Sequence, residues 1–320
     1  MLINLSLVIL GLAVLIAGGE FLVKGAIGIA AKARLSTLVI GMTVVSFGTS
    51  APELLVSLKA AYMEVPEIAI GNVIGSNIAN IALVLGLTVI IFPMPVRRNT
   101  VRFDWPMMFI SGLLFFVFAF NLVIQRWEGL ILFLILIIFL TFLITNSRKR
   151  NKKTEKQLKE VIEISDAEKK SNKKNFFLSV LWVVFGLVGL YFGARWLILG
   201  AKSMGEDMGL SKHVIAITVV AFGTSVPELV TSVVAAYKKQ MDISVGNLIG
   251  SNIFNVLAVI GITAMVSPIA VDQEVVFWDM IWMLAIFVAL LPMILIKRKV
   301  GWISGAILLI TYVVYIYLLF

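Results

Sequence analysis

The sequence predicts an all-α polytopic membrane protein of ten transmembrane helices, arranged as two inverted five-helix repeats. Three observations carry this expectation. The composition is too apolar for a water-soluble domain, apolar stretches of membrane-spanning length recur along the chain, and two polar segments each occur twice at one constant spacing.

The 320 residues are 60% hydrophobic and 14% charged, whereas a soluble domain is about half apolar and roughly a quarter charged. The apolar stretches match the ~20 residues needed to cross about 30 Å of hydrocarbon. Polar and proline-containing breaks place the spans near 2–22, 37–62, 68–91, 104–122, 128–145, 176–199, 212–236, 243–266, 275–295 and 301–319. The first apolar run, Leu5 to Ile16, has no small-residue cleavage site leading into a polar mature domain. It is expected to be a retained helix and not a signal peptide. The chain then divides into an N-terminal repeat (1–145), a basic linker (146–175) and a C-terminal repeat (176–320).

No cysteine is present, which excludes disulfides and thiolate metal or redox sites. The single histidine, His213, sits at the mouth of the seventh span and is read as interfacial. A net charge of +9 raises the question of nucleic acid, and the placement of the charges answers it. Basic residues gather in alternate connections. These are Lys24, Lys32 and Arg34, then Arg97, Arg98 and Arg102, then eleven between Arg148 and Lys174, then Lys238 and Lys239, and finally Lys297, Arg298 and Lys299. The intervening connections hold only Arg126, Lys202 and Lys212, together with acids such as Glu64, Glu67, Asp272 and Glu274. The positive-inside rule puts the linker in the cytoplasm and both termini outside. The basic charge is a topology signal, and no nucleic-acid partner is expected. The linker is read as a solvated tether that also attracts anionic lipid, too short to fold as a domain of its own.

The duplication carries the functional argument. Thr43 to Glu53 reads TVVSFGTSAPE and Thr218 to Glu228 reads TVVAFGTSVPE, matching at nine of eleven positions. Gly71 to Asn80 reads GNVIGSNIAN and Gly246 to Asn255 reads GNLIGSNIFN, matching at eight of ten. In both cases the second copy follows the first at the same offset of 175 positions, without gaps. Five spans separate each element from its copy, and an odd number inverts the second copy in the membrane. Inverted repeats build secondary transporters, with the binding site near mid-membrane where the halves meet. Duplicated packing would not need Thr, Ser, Glu and Asn in both copies.

Glu53 and Glu228 each fall well inside an apolar span. An unpaired carboxylate there costs about 2.5–3.5 kcal/mol or more. Apart from Lys59 near the outer end of its span, no base stands near on the same helix, so a cation from solution is the natural partner. Pro52 and Pro227 precede the glutamates. A proline within a helix leaves a carbonyl without its donor, here near Ser46, Phe47 and Gly48, and near Ala221, Phe222 and Gly223. Such carbonyls are tolerated at membrane depth where they line a cavity or bind an ion.

Thr49 and Glu53, like Thr224 and Glu228, are four residues apart and are expected to share a helix face. Asn72, Ser76 and Asn80 form a polar stripe with the same spacing, repeated by Asn247, Ser251 and Asn255. Hydroxyl, amide, carbonyl and carboxylate oxygens are hard ligands that suit sodium and calcium and not zinc or copper. Two carboxylates balance one calcium or two sodium ions, and a third sodium would leave the loaded site positive. Gly71, Gly75, Gly246 and Gly250 are read as packing residues that let the third and eighth spans approach the second and seventh. Asp104 and Asp279, related by the same offset, are expected to favour helix N-termini. Glu20 and Arg195 occupy equivalent places with opposite charge, so an interdomain ion pair and interfacial snorkelling both stay open.

At these residues the chain resembles the calcium/cation antiporter superfamily, and within it the prokaryotic sodium/calcium exchangers. The paired Gly-Thr-Ser-x-Pro-Glu and Gly-Asn-x-Ile-Gly-Ser-Asn segments look like that family's two alpha repeats, and the likeness covers essentially the whole chain. The resemblance implies an antiporter of calcium and sodium ions with no cofactor. It implies a diamond of four ion sites between the second, third, seventh and eighth spans, and first and sixth spans that slide across this core. Carried over by position, the ligands would be the Ser46 backbone oxygen, Thr49, Ser50, Glu53, Ser76 and Asn80. Their partners would be the Ala221 backbone oxygen, Thr224, Ser225, Glu228, Ser251 and Asn255. Some family members, including potassium-dependent ones, carry Asp at the place of Asn255, so its amide argues against potassium dependence. Proton-coupled calcium exchange is the nearest rival and a cation channel a rival of another class. A membrane enzyme would need a nucleophile–base pair or a cofactor motif, and none appears.

Overall fold

The computed structural model describes residues 2–63, 65, 67–159, 172–208, 221–296 and 298–319. These residues are overwhelmingly helical, as an unbroken hydrocarbon environment demands, because a helix satisfies its own backbone. The chain opens with α1 (Leu2–Ala33). Then come α2 (Thr37–Thr49) and α3 (Ala51–Tyr62), set at 42° to one another, followed by α4 (Ile68–Ile91) and α5 (Thr100–Ala119). The helix α6 runs Arg126–Lys159 and α7 runs Asn172–Asp207. A short α8 (Ala221–Thr224) leads into α9 (Val226–Tyr237). The chain closes with α10 (Met241–Val266), α11 (Val275–Leu295) and α12 (Trp302–Leu318).

Among the described residues, seven helices are long and apolar enough to cross a membrane, and the bent pair α2 and α3 makes an eighth. The span expected at 212–236 is described only from Ala221, so His213 lies outside the described residues. Helix α6 continues through Lys159, so the start of the expected solvated linker is regular helix.

The all-α expectation meets one exception. Two short antiparallel pairs form, β1 (Met94–Pro95) with β4 (Lys299–Val300) and β2 (Val123–Ile124) with β3 (Ile269–Ala270). Each joins a loop of the first half to a loop of the second. Pro93 directly follows the Phe92 cap that ends the preceding helix, and β1 starts at the next residue.

Several helices contain π-type turns, at Gly41–Val45, Ala79–Leu85, Thr100–Asp104, Asn255–Ile260 and Val275–Asp279. Such turns insert one residue and rotate everything beyond it, and they gather at functional sites. The second and fourth begin at or beside Asn80 and Asn255.

Burial sorts the helices into two bodies. In their most apolar windows α10 is 83% buried and α4 is 72% buried, against 33% for α1 and 22% for α7. The first two, with the broken helices, form the centre. Helices α1 and α7 pack along each other at the side. Their seam has a glycine at every seventh position, Gly11, Gly18 and Gly25 on α1 and Gly186, Gly193 and Gly200 on α7. A Cβ at any of the six would lie 2.5–2.7 Å from a backbone atom of the partner helix, so only glycine permits this approach.

Packing glycines appear in the centre too. A Cβ at Gly246 would meet the Leu38 carbonyl at 2.5 Å, and one at Gly250 would meet Ser46 Oγ at 2.2 Å. These two bear out the expected close approach, here of α10 onto α2. Among the described residues nothing lies within 4 Å of a Cβ at Gly71 or Gly75. The stretch they would approach by the repeat offset, 213–221, lies almost wholly outside the described residues.

Candidate functional site

The site is built on two helix breaks. Helix α2 stops at Thr49, Ser50 leaves helical geometry at φ −86° and ψ 2°, and α3 begins at Ala51. Ser225 does the same at φ −90° and ψ 0° between α8 and α9. The prolines therefore do not kink continuous helices. They sit in the first turn of the second piece, where a missing N–H removes no bond. The Ser46 carbonyl accordingly accepts the Ser50 N–H at 2.9 Å.

The break sets the chemistry. Glu53 and Glu228 fall in the first turn of α3 and α9. Backbone N–H groups are unpaired there and the helix dipole favours an anion. Both glutamates are 0% exposed. Glu53 feels the charge of Glu228, and Thr49 and Ser50 of the first half stand beside Glu228. The two carboxylates thus share one buried region at the contact of the halves.

Among the described residues several buried side-chain atoms there have no hydrogen-bond partner. They are Ser50 Oγ, both Glu53 oxygens, Ser76 Oγ, both Asn80 amide atoms, Ser225 Oγ, both Glu228 oxygens and Asn255 Oδ1. Roughly nine in ten buried polar groups are paired in proteins, so such a concentration calls for a polar ligand. Seven of the twelve residues named from sequence are in this set.

The other five are placed as follows. Thr49 Oγ1 donates toward Asn247 Oδ1 at 3.1 Å and lies 3.3 Å from Ser251 Oγ, which ties the two halves together. The Ser46 carbonyl faces Thr49 Oγ1 at 3.3 Å. Ala221 and Thr224 form the ends of α8.

Other polar residues hold the frame. Asn72 Nδ2 donates to the Glu53 carbonyl at 3.3 Å and to Ser57 Oγ at 3.2 Å. Asn247 Nδ2 repeats this with Ser232 Oγ at 3.2 Å. The expected stripes therefore split, with their first members bracing α3 and α9, while Ser76, Asn80 and Asn255 keep buried atoms without a partner among the described residues. Ser46 Oγ donates to the Gly41 carbonyl at 2.6 Å and reaches the Asn247 carbonyl at 3.1 Å. Its counterpart is Ala221, so this brace exists once.

Asn77 was missed from sequence. Its Oδ1 accepts from Asn255 Nδ2 at 3.1 Å and its Nδ2 reaches the Asn252 carbonyl at 3.5 Å, across the halves. The signal was present, since Asn77 and Asn252 stand in both copies of the motif. Counting by fours from Asn72 passes over them.

Two further expectations are revised. Glu20 pairs with Lys238 at 3.4 Å and not with Arg195. Asp104 and Asp279 make no side-chain cap bond, because their helices already begin at Thr100 and Val275. Helix α7 lies over both breaks, so that a Cβ at Gly48 would be 2.3 Å from Leu187 and one at Gly223 would be 2.4 Å from Ile198.

The family model described as sodium/calcium exchanger protein matches the chain over residues 3–145 and again over 178–320. The chain belongs to the sodium/calcium exchanger family. It is 33% identical to the sodium/calcium exchanger MaX1 of Methanosarcina acetivorans, covering 99% of each chain. It is 35% identical to the putative antiporter CaxA of Alkalimonas amylolytica, covering all of this chain and 99% of that one. Its fold superposes on the solved structure of the sodium-calcium exchanger NCX_Mj with a TM-score of 0.83 at 30% identity, over 99% of this chain and 98% of that one. The family's members are membrane antiporters that carry calcium and sodium without a cofactor, and this chain belongs among these transporters.

Proposed function

We infer that the chain is a secondary active antiporter exchanging sodium for calcium by alternating access, with Glu53 and Glu228 binding the ions. One observation carries the reading. The buried oxygens without partners are concentrated in the residues that the duplicated motif supplies, and they flank two carboxylates that share one region. Their chemistry is a hard-oxygen set suited to calcium or sodium. The names MaX1 and NCX_Mj carry support the same cargo.

The two carboxylates balance one calcium or two sodium ions. Asn255 donates its amide to Asn77 and adds no third charge, which favours coupling independent of potassium. A third sodium would make the loaded site positive, and exchange would then move net charge. The ligand set we propose is Ser46 and Ala221 through their carbonyls, with Thr49, Ser50, Glu53, Ser76, Asn80, Thr224, Ser225, Glu228, Ser251 and Asn255.

The architecture proposed is ten spans in two inverted five-helix repeats, 1–145 and 176–320, joined by the 146–175 linker. The bent pair α2–α3 and the short pair α8–α9 each count as one span. Support comes from the π turns at Thr100–Asp104 and Val275–Asp279, which are related by the repeat offset. The β pairs support it too, since Met94 and Ile269 are related in the same way and each loop clasps the opposite half. The basic connections orient the linker to the cytoplasm and both termini outward. In this reading α1 and α7 move as one body against the breaks, since α7 overlies Gly48 and Gly223 while α1 packs on α9 near Gly19, Val230 and Val234.

The test is calcium-45 uptake into sodium-loaded proteoliposomes diluted into sodium-free buffer. Uptake is expected to follow the sodium gradient. Uptake that ignores sodium but follows a pH gradient would establish the proton-coupled rival, and single-channel currents would establish a channel.

A further inference from the structure

The end of the molecule that carries Arg97 holds a second polar cavity, remote in chain position from Glu53 and Glu228. It encloses about 250 Å³ where the start of α2, the start of α5 and α6 near residue 146 converge. Its polar lining is Ser36, Arg97, Asn99, Asp104, Asn146 and Ser147.

Asp104 is only 2% exposed, and its Oδ2 has no hydrogen-bond partner among the described residues. The Thr100 hydroxyl, one turn earlier, is likewise buried and stands beside Asp104. A carboxylate withdrawn from solvent is retained only when something compensates it.

The counterpart in the other half shows what is missing. Asp279 accepts the Tyr315 hydroxyl at 3.0 Å. At the place equivalent to Tyr315 in the first repeat stands Leu140, which has no donor to offer. The first half keeps the acid, lacks the tyrosine donor and has a cavity in front of it.

The one base in the lining does not fill the role. Arg97 Nε donates to Asp242 Oδ1 at 2.7 Å, and its terminal nitrogen pairs with Asp242 Oδ2. The fork of the guanidinium is thereby engaged by a carboxylate of the second half. Ser147 Oγ accepts the Ser36 N–H at 2.9 Å and keeps a further lone pair.

We propose that this cavity is a second cation site, with Asp104 as its charged ligand and the amide and hydroxyl oxygens of Asn99, Asn146 and Ser147 around it. The charge count selects the ion. One carboxylate balances a monovalent ion, whereas a divalent ion would remain positive beside the Arg97 guanidinium. The oxygens are hard, so the ligand is a hard monovalent ion of the sodium class. Room for several waters, at roughly 30 Å³ each, lets the ion stay partly hydrated. The proposal rests on Asp104 and its cavity and not on the transport reading.

The test uses the full chain with Glu53→Gln and Glu228→Gln together, which removes the charge of the central site. Sodium-22 binding is measured at equilibrium in choline chloride. Saturable binding of about one ion per chain is expected to persist in this background. Adding Asp104→Asn should lower its affinity at least tenfold, with the protein still monodisperse. Asn146→Leu, which keeps the acid and fills the cavity, should do the same and covers the case in which Asp104→Asn fails to fold. Absence of saturable sodium binding in the double variant would overturn the proposal. So would binding that both cavity variants leave unchanged. Saturable calcium-45 in place of sodium would overturn the monovalent assignment.

Discussion

The broken-helix centre and the α1–α7 pair solve opposite problems with the same solvent around them. In the centre, polar atoms are buried at Ser50, Glu53, Ser76, Asn80, Ser225 and Glu228 without partners among the described residues. That arrangement costs stability and preserves ligands. In the pair, six glycines on two heptad series bring backbones together, and most of the surface is left to lipid. No hydrophobic force joins helices within a membrane, so close packing must do it. In the proposed function the centre binds ions, while the pair packs closely and α7 contacts both breaks. A mutation in one region should therefore damage a different property from a mutation in the other.

The largest effect should come from the centre. Glu53→Gln or Glu228→Gln is expected to reduce sodium-driven calcium-45 uptake at least a hundredfold. Thermal stability without ions should stay level or rise, since a buried charge is removed. A variant retaining near-normal exchange would take that glutamate out of the proposed ligand set.

The seam should show the reverse pattern. Gly18→Leu and Gly193→Leu place a side chain where a bare Cβ already lies 2.7 Å from a partner N atom. Overpacking of this kind costs about 1–3 kcal/mol or more. A lower melting temperature and an aggregated size-exclusion profile are expected. Gly71→Ala serves as the comparison among glycines and should be milder.

Ser46→Ala sits between these regimes. It removes the hydroxyl that reaches the Gly41 and Asn247 carbonyls, each bond being worth about 1 kcal/mol. Stability should fall modestly while the calcium concentration for half-maximal uptake changes less than threefold. A large change there would mean that the hydroxyl, and not only the carbonyl, meets the ion.

The smallest effect is expected at the rim. Lys238→Ala breaks the 3.4 Å pair with Glu20, in which both side chains are substantially exposed. Such pairs contribute about 0.2–1 kcal/mol. The difference should vanish at high salt in a thermal melt, and exchange should persist.

Much of this was legible in the chain. The exact recurrence of Glu, Pro, Thr, Ser and Asn at one constant offset exposed the central site, because duplicated apolar packing has no use for those side chains. The heptad glycines were equally visible, at Gly11, Gly18 and Gly25 and again at the equivalent positions Gly186, Gly193 and Gly200. Sequence reading stopped at Gly71 and Gly75 because the four-residue spacing is the familiar one. Asn77 was overlooked for a similar reason, lying about 100° around the helix from Ser76.

Other features were beyond sequence. A proline four residues after Gly48 is compatible with a kink or with a break, and only the packing of α7 over that glycine and α10 against α2 selects the break. The partner of Glu20 depends on how α1 meets α9, and the sequence left open both a pair with Arg195 and snorkelling at the interface. The fate of Asp104 and Asp279 could not be separated by reading either half alone. Their difference lies in what a helix one span away presents, Tyr315 in one case and Leu140 in the other.

By itself the sequence determined the membrane solvent, the duplicated segments and the hard-oxygen character of the central polar residues, because each follows from local composition or exact repetition. Tertiary structure alone decided where the helices break, which oxygens are left without donors and which carboxylates find partners. Those outcomes depend on contacts between segments as distant in the chain as Ser46 and Gly246, and no local pattern encodes the distance between two atoms on different helices.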